Sequence, residues 1–379
     1  MKDFSEAPFL VIWETTQACD LACAHCRASA VECRHPLELS TEEAFGLLRE
    51  VREFGDPLMV FTGGDPLKRD DIFDLLQYSV QLGLRTTITP SATPLLTAPA
   101  IERFKTCGVA RMAVSLDGHD RALHDGFRGV EGSFDRTISA LEHARAVGLD
   151  TQINTTVTRR NLHVLHEIAG RVATSSAKLW SVFFLITTGR ATAGDDLTAE
   201  EYEQVFEFLY NLSKSAPFDI KTTEAQHYRR YVAQRRKEEG GAGRNGREAP
   251  PSIIQRQAGI NDGRGFVFIS HIGDIYPSGF LPVKGGNVRQ ERLGDIYRNS
   301  ELFLTLRDSD LLEGKCGDCE YRNLCGGSRS RAYALTGNFM ASDPRCVYEP
   351  AVKRERTRKA RLALPGILKP PAGVLHQTN

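Results

Sequence analysis

Net charge is the first thing this chain lacks. Its 379 residues carry 48 Lys and Arg against 48 Asp and Glu. No overall field therefore draws it to nucleic acid or to an anionic membrane. Long apolar runs are missing as well, and none approaches the ~18 residues that cross a bilayer. The opening Met1 to Pro8 has neither the basic start nor the apolar stretch of a signal peptide. Neither nucleic acid nor membrane is expected as a partner, and the expected address is cytoplasmic. What remains is a globular composition, 41% hydrophobic and 25% charged. The length exceeds one ordinary core, so two domains or a large barrel with an appendage is expected.

Cysteine, by contrast, is plentiful and clustered. Cys19, Cys23 and Cys26 lie near the start, and Cys316, Cys319, Cys325 and Cys346 near the end. In a reducing compartment such groups are metal ligands or catalysts more often than disulfides. Cys33 and Cys107 stand apart and read as a loop thiol and a buried small apolar residue.

The first 215 residues alternate strand and helix signals. Phe9–Trp13, Pro57–Phe61, Arg85–Thr89, Val109–Leu116, Thr151–Val157 and Leu179–Ile186 read as strands. A helix follows each. The first is opened by a capping box, Ser40 with Glu43. The next three are expected at Asp71–Leu82, Ala98–Thr106 and Phe134–Val147. Asn161 is expected to cap the fifth, and a second capping box, Thr198 with Glu201, opens the sixth. Six β-then-α units predict an α/β fold with a parallel sheet, open or curled into a barrel. Arg235–Pro251, crowded with charge, glycine and proline, reads as a linker. Phe266–Ser270 and Ile275–Pro277 flank Gly273-Asp274 as a hairpin. The stretch from Lys353 to Lys359 is a basic, solvated tail.

In parallel α/β folds chemistry gathers at the carboxyl ends of strands, and the candidate motifs fall there. Cys19-Asp-Leu-Ala-Cys23-Ala-His-Cys26 follows the first strand and Thr62-Gly-Gly-Asp-Pro66 the second. Thr89-Pro-Ser91, Ser115-Leu-Asp-Gly118, Asn154 and Thr187-Thr-Gly-Arg190 end the next four. Thiolates suit iron–sulfur clusters and zinc. A closed zinc site wants four ligands, whereas three thiolates on a cubane leave one iron open.

The cysteine spacing, three and then two intervening residues, resembles the hallmark of the radical S-adenosylmethionine (SAM) superfamily. The resemblance implies a partial six-stranded (β/α)6 barrel over residues 1–215, then a helix and flexible linker over 216–262. Cys19, Cys23 and Cys26 would hold a [4Fe–4S] cluster whose open iron chelates SAM, with His25 by the adenine. Gly63, Gly64, Asp65 and Pro66 are similar to the family's Gly-Gly-Glu-Pro motif, which binds the SAM amino group; Asp65 is one methylene shorter than the usual glutamate. Thr89, Ser91, Ser115, Asp117, Asn154, Thr188 and Gly189 match positions around SAM. Arg128 matches an arginine that pairs the SAM carboxylate, with a surface arginine as the alternative. The implied reaction is reductive cleavage of SAM to a 5′-deoxyadenosyl radical, which abstracts hydrogen from a substrate. A low-potential donor such as ferredoxin or flavodoxin is the implied electron source.

Residues 263–350 resemble the SPASM module or its twitch variant, with 351–379 a basic tail. Ser278 and Ser328 stand where that module carries cysteines. The resemblance therefore implies one auxiliary [4Fe–4S] cluster on Cys316, Cys319, Cys325 and Cys346, with structural zinc as the alternative. Enzymes of this architecture modify ribosomal peptides, mature sulfatases or act in heme and heme d1 biosynthesis. Residues 62–69 and 325–333 look most similar to the heme-type members, which makes a tetrapyrrole the expected substrate. Peptide maturation and a non-catalytic metal-binding protein are the alternatives. His271, Tyr276 and the arginines around Arg329 could face substrate carboxylates, or solvent.

Overall fold

A computed structural model of the chain describes residues 3–240 and 259–351. The linker expected at Arg235–Pro251 lies partly outside them, and the basic tail lies outside them from residue 352 onward.

The six expected strands form. They are β1 (Leu10–Glu14), β2 (Leu58–Thr62), β3 (Arg85–Ile88), β4 (Arg111–Ser115), β5 (Thr151–Val157) and β6 (Leu179–Phe184). Crossover helices join them: α1 (Thr41–Glu53), α2 (Ile72–Gln81), α3 (Ala98–Thr106), α4 (Arg121–Arg128), α5 (Ser133–Ala146) and α6 (Leu165–Thr174), with α7 (Ala199–Leu212) after β6. Both capping boxes are present: Ser40 and Glu43 close the start of α1, Thr198 and Glu201 that of α7.

The sheet is larger than the six units. β7 (Asp219–Thr223) pairs in parallel with β6, and β8 (Phe266–Ile269) pairs in parallel with β1. β9 (Asp274–Tyr276) turns back on β8 as the expected hairpin, and β10 (Gly286–Asn287) follows it. The order is β10-β9-β8-β1-β2-β3-β4-β5-β6-β7. The sheet thus runs without a break from the barrel strands into the cysteine-rich region. The helix α8 (Tyr228–Glu238) lies between β7 and β8 in the chain.

Alternation sorts the two faces of this sheet. Val11, Trp13, Met59, Phe61, Ile88, Met112, Val114, Ile153, Trp180, Val182, Ile220 and Val267 are buried under the helices in one apolar core. Their neighbours along each strand, among them Glu14, Arg111, Ser115, Asn154, Ser181, Phe183, Lys221 and Phe268, face inward. Asn161 departs from the expectation of a helix cap. Its side chain accepts from Thr158 N at 2.8 Å and donates to the carbonyls of Asp117 and Thr156. It ties the ends of β4 and β5 together because those carbonyls have no ladder partner there.

Candidate functional site

The loop after β1 carries Cys19, Cys23 and Cys26, and three other elements hold its backbone. After β2, the amides of Gly64 and Asp65 donate to the carbonyls of Thr16 and Ala18, both at 2.7 Å. At the end of α4, Arg128 O and Phe127 O accept from Ala22 N and Ala24 N at 3.1 and 3.0 Å. After β6, Arg190 N donates to Cys26 O at 3.0 Å and its Nε to Cys23 O at 2.9 Å. These approaches require glycine. A Cβ on Gly64 would lie 2.4 Å from Ala18 O, and one on Gly189, whose φ is +61°, 2.2 Å from Cys26 O.

The three thiols pack together with Leu21, Ala30 and Val130. Donors aim at the sulfurs. Leu21 N reaches Cys19 Sγ and Ala30 N reaches Cys26 Sγ at 3.4 Å, while Arg128 Nη1 lies 3.7 Å from Cys23 Sγ. Burial pushes the Cys19 thiol up to about 11. A bare thiolate is costly there, and a bound iron would hold it ionised. His25 has its ring against Phe127 at 4.5 Å, and its buried Nδ1 lacks a hydrogen-bond partner. Burial, then the nearby arginines, keeps that imidazole neutral. Among the described residues no three Cys, His, Asp or Glu groups close on a point, as a single ion demands. Three spaced thiols under amide donors fit the corners of a cubane.

Of the other expected residues, Thr89, Ser91, Ser115, Asn154 and Thr188 are half-buried at the same edge. Ser91 donates to Gly64 O at 2.8 Å and lies 3.5 Å from Cys19 Sγ. Asp65 has a different job from the one expected. Its shorter arm is fully enclosed and accepts from Thr93 Oγ1 at 2.7 Å and from the amides of Leu67 and Ser91. It therefore braces the turn from inside instead of reaching out to an amino group. Pro66 is buried beside it. Asp117 is also enclosed, ion-paired with Arg128 and accepting from Thr156 N at 2.7 Å. Arg128 is thus fixed beside Cys23 and is no surface residue.

Arg190 makes three bonds to loop carbonyls, a role its place in the sequence does not reveal. Glu14 was missed as well. It pairs with Arg27 and with His271 Nδ1 at 2.8 Å. Arg27 in turn lies over the Phe268 ring at 4.6 Å and donates to Gly279 O. Arg329 and Arg331 face neither substrate nor solvent. Arg329 is buried on the carbonyls of Phe339 and Ala341, and Arg331 on Asp343 and Glu224 O. Both hold the C-terminal region together.

The second cysteine group lines a small recess that opens to solvent. Cys316, Cys319, Cys325 and Cys346 line it together with His227, Arg230, Lys315 and Arg322. Amide donors again point at sulfur: Asp343 N to Cys316 and Tyr321 N to Cys319 at 3.4 Å, Gly327 N to Cys325 at 3.3 Å. Burial drives the Cys346 thiol up to about 11 and that of Cys325 higher still. Four thiols under a cationic rim fit an anionic cluster with every corner held by protein. Ser278 and Ser328 lie apart from the recess in buried hydrogen bonds. Ser278 pairs with Ser330, which donates to Asp262, and Ser328 donates to Glu224 at 2.6 Å.

The sequence profile of the radical SAM superfamily matches residues 13–171, which hold the first cysteine loop and its bracing turns. The AdoMet-dependent heme synthase of Oleidesulfovibrio alaskensis is 41% identical over 95% of this chain and 92% of its own. That of Methanosarcina barkeri is 38% identical over 92% and 99%. The chain belongs to the radical SAM superfamily. It is an enzyme, its cofactors include SAM and a [4Fe–4S] cluster, and it needs a small-molecule substrate and a reductant. A crystal structure of Streptococcus suis SuiB bound to SAM shares the fold, with TM-score 0.67 and 18% identity over 92% of this chain and 78% of that one. No helix among the described residues is long and apolar enough to cross a membrane.

Proposed function

We propose that this radical SAM enzyme forms heme from an iron-tetrapyrrole precursor by abstracting hydrogen from the macrocycle's side chains. Cys19, Cys23 and Cys26 hold the SAM-binding cluster, and Arg128, fixed by Asp117, faces the carboxylate of SAM. Together, cluster and SAM supply reductive cleavage and hydrogen abstraction. His25, Gly63, Gly64, Ser91, Ser115, Asn154, Thr188 and Gly189 shape the walls around SAM. Cys316, Cys319, Cys325 and Cys346 hold a second, fully ligated cluster that passes electrons. A ferredoxin or flavodoxin serves as the donor.

Likeness to heme synthases at about two-fifths identity, spanning both cysteine groups, carries the substrate assignment. The inner face agrees with it. Phe183 meets Phe280 at 6.4 Å, and Phe268 lies under Arg27. Aromatic side chains on that face suit a planar ring. The peptide-modifying alternative is less supported, resting on lower identity.

The test is anaerobic. Reconstituted enzyme is given SAM and dithionite, with and without an iron porphyrin carrying carboxylate side chains. Heme and 5′-deoxyadenosine are then followed by mass spectrometry. Deoxyadenosine formed in step with heme is the expected result. Cleavage that ignores the porphyrin but responds to a peptide would sink the assignment.

A further inference from the structure

We propose that His227 donates a ring N–H to the cluster held by Cys316, Cys319, Cys325 and Cys346, and so raises its midpoint potential. This role rests on the second-cluster reading.

His227 caps the start of α8 and lines the recess that all four cysteines line. Among the described residues it is the one histidine there. Aromatic neighbours hold its plane. The ring stacks on Tyr202 at 5.4 Å with 19° between the planes, and Phe206 meets it edge-on at 4.8 Å. Tyr202 is fully buried, and its hydroxyl donates to Asp196 at 3.2 Å.

The nitrogens single this ring out. Both Nδ1 and Nε2 are buried, and neither has a hydrogen-bond partner. An unmet buried donor is costly, and native folds rarely leave one. The other fully buried histidine among the described residues, His124, accepts from Asp117 N at 3.1 Å. Asp343 does not serve His227. Its Oδ2 is 3.7 Å from Nδ1 and already accepts from Ser328 N at 2.8 Å and Arg331 Nη1 at 3.3 Å. The thiols do not serve it either, since none lies within hydrogen-bond distance.

The acceptor must therefore come with whatever the recess holds. A zinc ion on four thiolates brings no lone pair of its own. A cubane brings inorganic sulfides, which accept hydrogen bonds. Backbone amides already reach Cys316, Cys319 and Cys325. His227 adds a donor from a side chain, which a substitution can remove. Such a bond favours the reduced, more negative cluster, and the potential rises with it.

The experiment uses the full chain with reconstituted clusters and two readouts. In the first, wild type, His227→Phe and His227→Gln are titrated anaerobically with dithionite and followed by EPR. Iron content and circular dichroism confirm that each variant is folded and loaded. His227→Phe keeps the aromatic stack and loses the N–H. At a fixed potential its ratio of reduced to oxidised second cluster should fall about fivefold, the worth of one ordinary hydrogen bond. The first cluster should not move, and His227→Gln, which keeps an N–H, should recover most of the loss. In the second, Cys23→Ala, left with the second cluster, carries heavy nitrogen in its histidine rings. Pulsed EPR of the reduced protein should show a weak histidine coupling; if His227→Phe does not load, this readout decides alone. An unmoved midpoint in His227→Phe overturns the proposal while the second cluster stands. So does the absence of histidine coupling in a chain with reducible iron, or a strong coupling from nitrogen bound to iron. If Cys23→Ala binds zinc or no iron, the second-cluster reading falls and the role of His227 falls with it.

Discussion

The two cysteine groups solve the same problem in opposite ways. The first has three thiols on a loop whose shape comes from elsewhere: turns after β2 and β6 and the end of α4 grip its backbone, at contacts where a Cβ would collide. The second has four thiols in irregular chain, and charge surrounds them. Arg230, Lys315 and Arg322 line the recess, each also paired with a carboxylate, and His227 beside them is held neutral by burial. Fewer ligands thus come with more scaffolding, as an open coordination position requires. A complete ligand set instead leaves the electrostatic surroundings to set the behaviour of what it holds.

The sharpest way to break this comparison is to remove one thiol from each group. Cys23→Ala should lose SAM cleavage altogether yet keep about half of the reconstituted iron, because the second set is still complete. Cys346→Ala should keep SAM cleavage and lose heme formation. Iron assays and deoxyadenosine yields read both, and loss of all iron in either variant would show that the groups are not independent.

Scaffolding is tested next. Gly64→Ala and Gly189→Ala each force a Cβ into loop carbonyls, at 2.4 and 2.2 Å. Each should lower stability by about 1–3 kcal/mol and cut iron retention at the first site. Gly170, exposed on α6 with nothing within 4 Å of an added Cβ, is the control. Its alanine variant should gain up to about 1 kcal/mol in urea unfolding.

The charge side is subtler. Arg230→Met removes a cation from the second recess, which makes reduction of that cluster harder. Its midpoint should fall on the order of tens of millivolts, with the first cluster unmoved, in an EPR-monitored redox titration. The smallest effect lies outside both groups. Glu43 is drawn down from 4.5 to about 2 by Arg289 and the Ser40 amide. Its contribution is full above pH 4.5 and is lost as pH falls toward 2. Glu43→Gln should therefore flatten the acid limb of urea unfolding midpoints below pH 5.

Much of this architecture was legible because local signals agreed with the fold. Capping boxes at Ser40 and Thr198, and alternation in Thr151–Val157, mark elements that bury one face. β7 was not legible. Asp219-Ile-Lys-Thr-Thr223 has one apolar residue, because its inward positions line a polar lumen instead of a core. The helix α4 hides for a related reason: only His124 and Phe127 of its eight residues are buried. In the site, the cysteine spacings were visible from the start. The enclosure of Asp65 was not, since only three dimensions bring Thr93 and Ser91 to its carboxylate. The lesson is that pattern reading fails where an element buries too few apolar residues to show a period.

The parallel pairing of β8 with β1 bears on timing. β1 occupies an interior place in the sheet, yet one of its two partners arrives some 250 residues later in the chain. Glu14, Arg27 and the cysteine loop wait on Phe268, His271 and Gly279 for their last contacts. Such distant closure is slow and comes late. As the ribosome delivers the chain, the first cysteine loop emerges well before β8, and its wall is finished only when that strand appears. Iron delivered before then would meet thiols on an unfinished wall.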